Sequence, residues 1–186
     1  MKFSFITFLF AGSLLGASVP AAAAPAAPAA PAAAESVRSA EIAPGIAVAG
    51  QLREADLAGL KAQGYTAIIA LRPDGEGPDQ PSSGTMAAAA AAQGLGFRYI
   101  PVRPGAIPDE AVERLGAALA ASPGKLMIYC RSGSRAARTW GLAEASRPGG
   151  RDASAILAAI RAAGQSGEDL HDALAQRIAS RPAPSR

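Results

Sequence analysis

Residues 125–140 read KLMIYCRSGSRAARTW, and the interpretation of the whole chain depends on this stretch. A run of apolar residues ends at Cys130, a short polar loop follows, and a helical pattern begins near Ser134. Continuous apolar runs of this length are typical of strands that are covered on both faces of a sheet. The stretch therefore predicts a buried strand that carries the only cysteine of the chain to the start of a helix.

Strand and helix patterns alternate through the rest of the domain. Strands are predicted over 46–51, 65–71, 97–102 and 125–130, and helices over 53–64, 85–94, 108–122, 134–145, 152–164 and 166–179. This alternation predicts an α/β fold, a three-layer sandwich in which helices flank a mostly parallel central sheet. Ligands of such sheets bind beyond the carboxyl ends of the strands, where Cys130 is expected to lie.

The segments outside this domain predict export. Residues 1–23 contain one lysine, a long apolar run and small residues suited to cleavage, which indicates a signal peptide. Residues 24–36 repeat alanine and proline and predict an extended linker. The folded domain is predicted over 37–179 and a disordered tail over 180–186. We expect a bacterial protein, periplasmic or secreted, that meets the membrane only through its signal peptide during export.

Charge and cysteine content exclude several classes of function. The formal net charge of +3 is too small to indicate a nucleic-acid partner. A single cysteine excludes an internal disulfide, and one cysteine with one histidine does not make a zinc site. Neither a metal nor an organic cofactor is expected. The single histidine, His171, is predicted to be a surface residue of the last helix.

The residues after Cys130 predict an anion-binding loop. Gly133 permits backbone angles that other residues resist, so successive N–H groups can converge at the N-terminus of the next helix. That positive end favours the thiolate form of Cys130, and the fork of Arg135 suits a tetrahedral oxyanion. The predicted catalytic residues are Cys130 and Arg135, and the predicted ligand-binding residues are Arg131, Ser132, Gly133, Ser134 and Ala136. The alternative is a buried, inert cysteine.

Three separated segments resemble one known family. They are GIAVAGQLREADLAGLKAQGYTAIIALRPDGEGPDQPS (45–82), GLGFRYIPVRPGAI (94–107) and GKLMIYCRSGSRAARTWGLAEA (124–145). Together they resemble the phosphatase-like domain of beta-lactamase-hydrolase-like proteins, over about residues 40–175. The resemblance implies a dual-specificity protein tyrosine phosphatase fold, in a family whose members are described as phosphatase-like and as candidate sulfurtransferases. It implies that Cys130 is the nucleophile and Arg135 the loop arginine, and that the pocket neighbours are Gln51, Arg72, Asp74 and Glu76.

Two departures from the tyrosine phosphatase pattern bear on the chemistry. Those enzymes show His-Cys, five residues and then Arg, whereas here Tyr129 precedes the cysteine and four residues separate Cys130 from Arg135. A smaller loop offers fewer donors to a phosphoryl group, and its pattern is similar to the loop of rhodanese-type sulfurtransferases. The second departure concerns the general acid, since no aspartate directly follows the strand predicted over 97–102, where phosphatases of this fold usually have one. Asp74 and Asp109 could act as the acid instead, but a turn explains Asp74 and a helix start explains Asp109 equally well.

These two departures favour sulfur transfer over phosphatase activity. We expect a sulfurtransferase that carries a persulfide on Cys130, takes sulfur from a small donor and passes it to a thiol acceptor or reductant. The alternative is a phosphatase that acts on a phosphorylated substrate through a phosphocysteine intermediate. A third possibility is a non-catalytic module that binds anions, because fold alone does not determine function.

Overall fold

The computed structural model describes residues 37–183, which form one five-stranded sheet with helices on both faces. The strands are β1 (Ser39–Ala43), β2 (Ile46–Ala49), β3 (Tyr65–Ala70), β4 (Gly96–Tyr99) and β5 (Lys125–Tyr129). Their spatial order is β1-β2-β5-β3-β4. All neighbouring strands run parallel except β1, which is antiparallel to β2. The predicted α/β class with a mostly parallel sheet is confirmed.

The helices cover the two faces of the sheet unequally. They are α1 (Asp56–Ala62), α2 (Ser83–Ala92), α3 (Asp109–Ala120), α4 (Ser134–Ser146), α5 (Ala153–Ala162) and α6 (His171–Ser180), with a short 3₁₀ helix (Glu168–Leu170) before α6. Buried side chains of α1 and α2 form one core with the sheet, and those of α3 to α6 form a second core. Two separate cores on opposite faces of the sheet make the three layers that the sequence predicts.

Strand β1 is not among the predicted strands, and two helical segments were predicted as one helix. Strand β1 lies at an edge of the sheet, and only its Ile42 is fully buried. Its apolar pattern is therefore too short to predict a strand. The predicted helix over 166–179 is divided into the 3₁₀ helix and α6. The predicted strand over 97–102 ends at Tyr99, although Ile100 and Val102 still donate to the carbonyls of Ala70 and Leu71.

The predicted signal peptide (1–23) and linker (24–36) lie outside the described residues. At the other end of the domain, α6 continues to Ser180, and the Arg181 guanidinium donates to the carbonyls of Gly150 and Arg151. The end of the predicted tail, 184–186, is also outside the described residues. Across 37–183, no helix is both long and apolar enough to cross a membrane.

Helix α4 is the most deeply buried helix of the second core, and it begins directly after the cysteine loop. Its Trp140 is completely buried. Gly141 lets α5 approach closely: a Cβ at this position would lie 2.9 Å from Ile160 Cδ1 and 3.0 Å from Ile156 Cγ2. The position of the cysteine loop therefore depends on a close contact between two helices that only a very small residue permits.

Replacing Gly141 by leucine should destabilise the protein by about 1–3 kcal/mol, because the added side chain has no room between α4 and α5. The matched control is Gly116→Ala in α3, where a Cβ would meet nothing within 4 Å. That change should raise the free energy of unfolding by about 0.5–1 kcal/mol, since glycine is a poor helix former. Urea unfolding of both variants measures the difference; an equal effect of the two substitutions would contradict the packing described here.

Candidate active site

The cysteine loop is held to the end of β2 by backbone hydrogen bonds. The Cys130 N–H donates to the Ala49 carbonyl at 3.3 Å, and the Gln51 N–H donates to the Arg131 carbonyl at 3.2 Å. Between them, Gly50 approaches the loop so closely that a Cβ would lie 3.4 Å from the Arg131 oxygen. The two strands β2 and β5 therefore set where the loop begins.

Gly133 gives the loop its turn toward the sulfur. Its φ of +93° lies in the left-handed region that favours glycine, and its N–H donates to Cys130 Sγ at 3.2 Å. A Cβ here would also lie 3.0 Å from the Gln165 side chain and 3.5 Å from the Ala49 carbonyl. Both the backbone angle and the surrounding space therefore require glycine at this position.

The loop contains a set of backbone N–H groups without acceptors. Within residues 37–183, the N–H groups of Ser132, Ser134, Arg135 and Ala136 have no hydrogen-bond partner. Three of them belong to the first turn of α4, where the partial positive charge of the helix N-terminus adds to their effect. Unpaired N–H groups at a helix N-terminus are the kind of donor that the loop sequence predicts for an anion beside Cys130 Sγ.

Arg135 is fixed by a two-pronged ion pair with Glu76. Its Nη1 and Nη2 donate to the two carboxylate oxygens of Glu76 at 2.7 Å each, and Nη1 also donates to the Val102 carbonyl at 2.6 Å. Only 14% of the Arg135 side chain and 12% of the Glu76 side chain are exposed. The hydrogen bonds from Arg135 lower the pKa of Glu76 below its ordinary value even though burial alone would raise it. Glu76 is therefore a carboxylate near neutral pH.

A second arginine extends this network to the loop after β2. Arg72 Nε donates to Glu76 Oε1 at 3.0 Å, and Arg72 Nη1 donates to Gln51 Oε1 at 2.8 Å. Gln51 in turn donates to the Leu52 carbonyl. The structure thus joins Gln51, Arg72, Glu76 and Arg135 into one chain of hydrogen bonds beneath the cysteine loop.

The two aspartates weighed as general acids are held by other partners. The Asp74 carboxylate accepts from the N–H and the hydroxyl of Ser83 at 2.7 and 2.6 Å, at the start of α2. Asp109 begins α3 and pairs with Arg177 of α6. Each contact gives the aspartate a role in the structure of the fold.

Tyr129 and His171 also have locations unrelated to proton transfer at the sulfur. Tyr129 belongs to the core between the sheet and α1 and α2, whereas Cys130 belongs to the opposite core. Burial raises the pKa of Tyr129, so its phenol stays protonated. The His171 side chain is 68% exposed and lies beside Asp172 on α6, as the sequence predicts for a surface residue.

The structure brings most of the predicted site residues together and adds two groups. Arg131 and Ser132 are exposed at the mouth of the loop, while Ala136 packs its methyl group into the core. The additions are the Val102 carbonyl, which accepts from Arg135, and Gln165, whose Nε2 donates to the Ser132 carbonyl at 3.4 Å. No sequence pattern marks either group, because one is a backbone atom and the other lies in a distant connection.

Within the same described range, no group of three His, Cys, Asp or Glu side chains could hold a metal ion. The chemistry available here is that of a thiol beside unpaired backbone donors and a fixed guanidinium.

Solved structures with the same fold define the fold class of this domain. One is a protein of Neisseria meningitidis described as a candidate phosphatase, 26% identical, with a TM-score of 0.65 over 74% of this chain and 96% of that one. Another is Tk-PTP in its active form, 16% identical, with a TM-score of 0.61 over 78% of this chain and 98% of that one. The fold is that of the tyrosine and dual-specificity phosphatases.

Residues 38–147 match the model of one family, the phosphatase-like domain of beta-lactamase hydrolase-like proteins. The chain belongs to this family. A beta-lactamase hydrolase-like protein of Xylella fastidiosa is 33% identical over 108 residues, which are 58% of this chain and 25% of that protein. One from Agrobacterium fabrum is 36% identical over 100 residues, 54% of this chain and 23% of that protein. The chain thus spans about a quarter of the length of these relatives.

The comparisons confirm the predicted family and fold, and they bear on the predicted chemistry. The family description and the Neisseria structure both refer to phosphatases. They therefore favour the phosphatase alternative over the sulfurtransferase that the loop spacing led us to expect.

Replacing Glu76 by glutamine should destabilise the protein by about 1.5–3 kcal/mol near neutral pH, because Arg72 and Arg135 lose a shared charged acceptor. The folded-state pKa of Glu76 is lowered, so its contribution is complete above the ordinary value near 4.5 and is lost as pH falls through the folded-state pKa. The difference in unfolding free energy between wild type and variant should therefore shrink as the pH falls through this range. Chemical unfolding measured across this acid range checks the expectation.

The matched control is Glu144→Gln. Glu144 is equally buried, pairs with Arg147 and has a lowered pKa, but it lies at the far end of α4 from the cysteine loop. It should show a similar pH dependence of stability without changing the affinity of the site for a phosphate analogue such as vanadate. Vanadate affinity that is unchanged in Glu76→Gln would contradict the role given to the Arg135–Glu76 pair.

Proposed function

We propose that this domain is a phosphatase in which Cys130 is the nucleophile. One observation carries the proposal: Cys130 Sγ lies in a loop whose backbone N–H groups at Ser132, Ser134 and Arg135 have no acceptor among the described residues. Those groups suit the equatorial oxygens of a phosphoryl group in transfer. Membership of a phosphatase-like family supports the same choice.

The Arg135 guanidinium completes the anion site in this proposal. Nη1 uses both of its N–H groups on Glu76 and Val102, and Nη2 uses one on Glu76. An arginine has five N–H groups, so one on Nη2 and the one on Nε remain for substrate oxygens. Glu76 acts as a positioning residue, because it holds the fork of Arg135 in one orientation before a substrate binds.

The reaction then has two displacements at phosphorus. The Cys130 thiolate attacks the phosphoryl group, an S–P bond forms, and the electron pair of the breaking P–O bond leaves with the product. Water then attacks the phosphocysteine, the S–P bond breaks, and inorganic phosphate and the thiolate are released. The loop donors stabilise the charge on the phosphoryl oxygens in both steps.

Sulfur transfer is the second candidate, and the spacing of the loop favours it. Four residues separate Cys130 from Arg135, which makes a smaller cradle than five would. A persulfide sulfur needs fewer donors than three phosphoryl oxygens, and its transfer to a thiol acceptor needs no general acid. A non-catalytic anion-binding module would use the same N–H groups without needing the thiol.

The predicted location adds a requirement to either activity. If residues 1–23 direct export, the protein is periplasmic or secreted, and Cys130 must stay reduced in an oxidising compartment. We propose that a thiol reductant of that compartment keeps Cys130 active. Export is tested by N-terminal sequencing of the protein recovered from the periplasmic fraction.

Parallel assays of the purified protein separate these candidates. The wild type should hydrolyse p-nitrophenyl phosphate, and Cys130→Ser should lower the turnover by about 10³-fold or more, because a hydroxyl is a far weaker nucleophile than a thiolate. The same two proteins are incubated with thiosulfate, and intact mass then reports any added sulfur. Ser146→Ala, remote from the loop on α4, serves as the control and should turn over like the wild type.

A sulfur adduct on Cys130 without phosphate release would replace the phosphatase with the sulfurtransferase. Phosphate release that persists in Cys130→Ser would remove the nucleophile from the mechanism. Binding of phosphate without either activity would identify the anion-binding module.

A further inference from the structure

We propose that the substrate is a phosphoanhydride that carries additional phosphates, and that the site removes its terminal phosphoryl group. The proposal rests on the proposed phosphatase function and specifies its substrate class. Two independent features of the site support it. The carboxylates of Asp74, Glu76 and Asp109 are engaged by other groups, and exposed arginines lie in the segments that form or contact the cysteine loop.

The first feature limits which leaving groups can depart. In the part of the chain described, Glu76 is an ion-paired carboxylate with a lowered pKa, so it holds no proton to give near neutral pH. Asp74 is bound at both oxygens by Ser83, and Asp109 is paired with Arg177. A leaving alkoxide needs a proton from an acid, whereas a leaving phosphate is a weak base and departs as an anion.

The chemical balance of the anhydride reaction is complete with water alone. The Cys130 thiolate forms the S–P bond, the bridging P–O bond breaks, and its electron pair leaves on the remaining phosphate chain. Water then attacks phosphorus, the S–P bond breaks and its electron pair returns to the Cys130 thiolate, and inorganic phosphate leaves with the oxygen and both protons of the water. No step needs a proton at the bridging oxygen.

The second feature supplies charge for the rest of such a substrate. Arg53, Arg103 and Arg131 all follow strands at the carboxyl edge of the sheet, on which the cysteine loop lies. Arg131 belongs to the loop itself. Arg53 comes two residues after Gln51, which bonds to the loop backbone, and Arg103 follows Val102, which bonds to Arg135. Each of these three segments therefore carries one arginine within two residues of a group that forms or contacts the site.

These arginines are open to solvent. All three are exposed, and within residues 37–183 none of them forms an ion pair. Glu54, the acid that follows Arg53, also forms none in that range and is the nearest opposing charge along the chain. The buried arginines of the site differ, since Arg72 and Arg135 are both held by Glu76. The guanidinium groups of Arg53, Arg103 and Arg131 suit phosphates that extend outward from the loop.

The test compares three substrates on the purified full chain: tripolyphosphate, p-nitrophenyl phosphate and glycerol 3-phosphate. Tripolyphosphate combines a weakly basic leaving group with extra charge, p-nitrophenyl phosphate has only a good leaving group, and glycerol phosphate has neither. The expected order of kcat/KM follows this order. Tripolyphosphate should exceed glycerol phosphate by about 10²-fold or more, which is the usual contribution of a general acid.

Arginine variants separate the recognition of charge from the chemical step. Arg53→Gln and Arg103→Gln should each raise KM for tripolyphosphate by about fivefold and the double variant by about twentyfold, with a smaller rise in KM for p-nitrophenyl phosphate. Added salt should weaken the binding of tripolyphosphate more than that of the aryl phosphate. The matched control is Arg98→Gln, an exposed arginine within β4 that also forms no ion pair in the described range and should change neither KM.

The outcomes distinguish this inference from the function on which it rests. If neither p-nitrophenyl phosphate nor tripolyphosphate is hydrolysed, or if both are hydrolysed equally well by Cys130→Ser, the proposed function fails. If phosphate release depends on Cys130 but glycerol phosphate is cleaved as fast as tripolyphosphate, only the substrate class is wrong. Equal effects of Arg53→Gln and Arg98→Gln on KM for tripolyphosphate would likewise overturn the role of the arginines at the entrance.

Discussion

The Glu76 carboxylate accepts hydrogen bonds from both Arg72 and Arg135, and the orientation of the Arg135 guanidinium beside the cysteine loop depends on this shared acceptor. Three loops of the α/β sheet meet there, since Gln51 follows β2, Arg72 and Glu76 follow β3, and Arg135 follows β5. The interaction is largely buried, so water weakens it little. A guanidinium held in this way meets an arriving anion without first losing freedom of its own.

Apolar packing around α4 fixes the backbone of the loop, as the ion pair fixes the Arg135 side chain. The loop ends in α4, which is buried against α3, α5 and α6, and Gly141 permits the close approach of α5. At its other end the loop is bonded to the end of β2 through Ala49 and Gln51. Electrostatic pairing orients the side chain of Arg135, while burial of apolar surface positions the backbone donors. Together the two effects preorganise the anion site that we propose.

The architecture could be predicted because strand and helix patterns alternate with long apolar runs, and because Cys130 ends such a run. The edge strand β1 could not be predicted in this way, since only Ile42 is fully buried. Cys130, Gly133 and Arg135 could be identified from the sequence because all three lie in one short loop, in the order that this chemistry requires. The Val102 carbonyl and Gln165 were not, because the fold brings them to the loop from distant positions. The spacing between Cys130 and Arg135 pointed toward sulfur, whereas the family comparisons favour a phosphatase.

The most direct measurement is the chemical identity of the group that Cys130 carries during turnover. The protein is mixed with an excess of phosphoryl donor, quenched with acid within the first turnovers, digested, and analysed by mass spectrometry of the peptide that contains Cys130. A phosphoryl group on Cys130 that is absent from Cys130→Ala is the predicted result. A peptide that remains unmodified while phosphate is released, or one that carries only an added sulfur, would contradict the assignment of Cys130 as a phosphatase nucleophile.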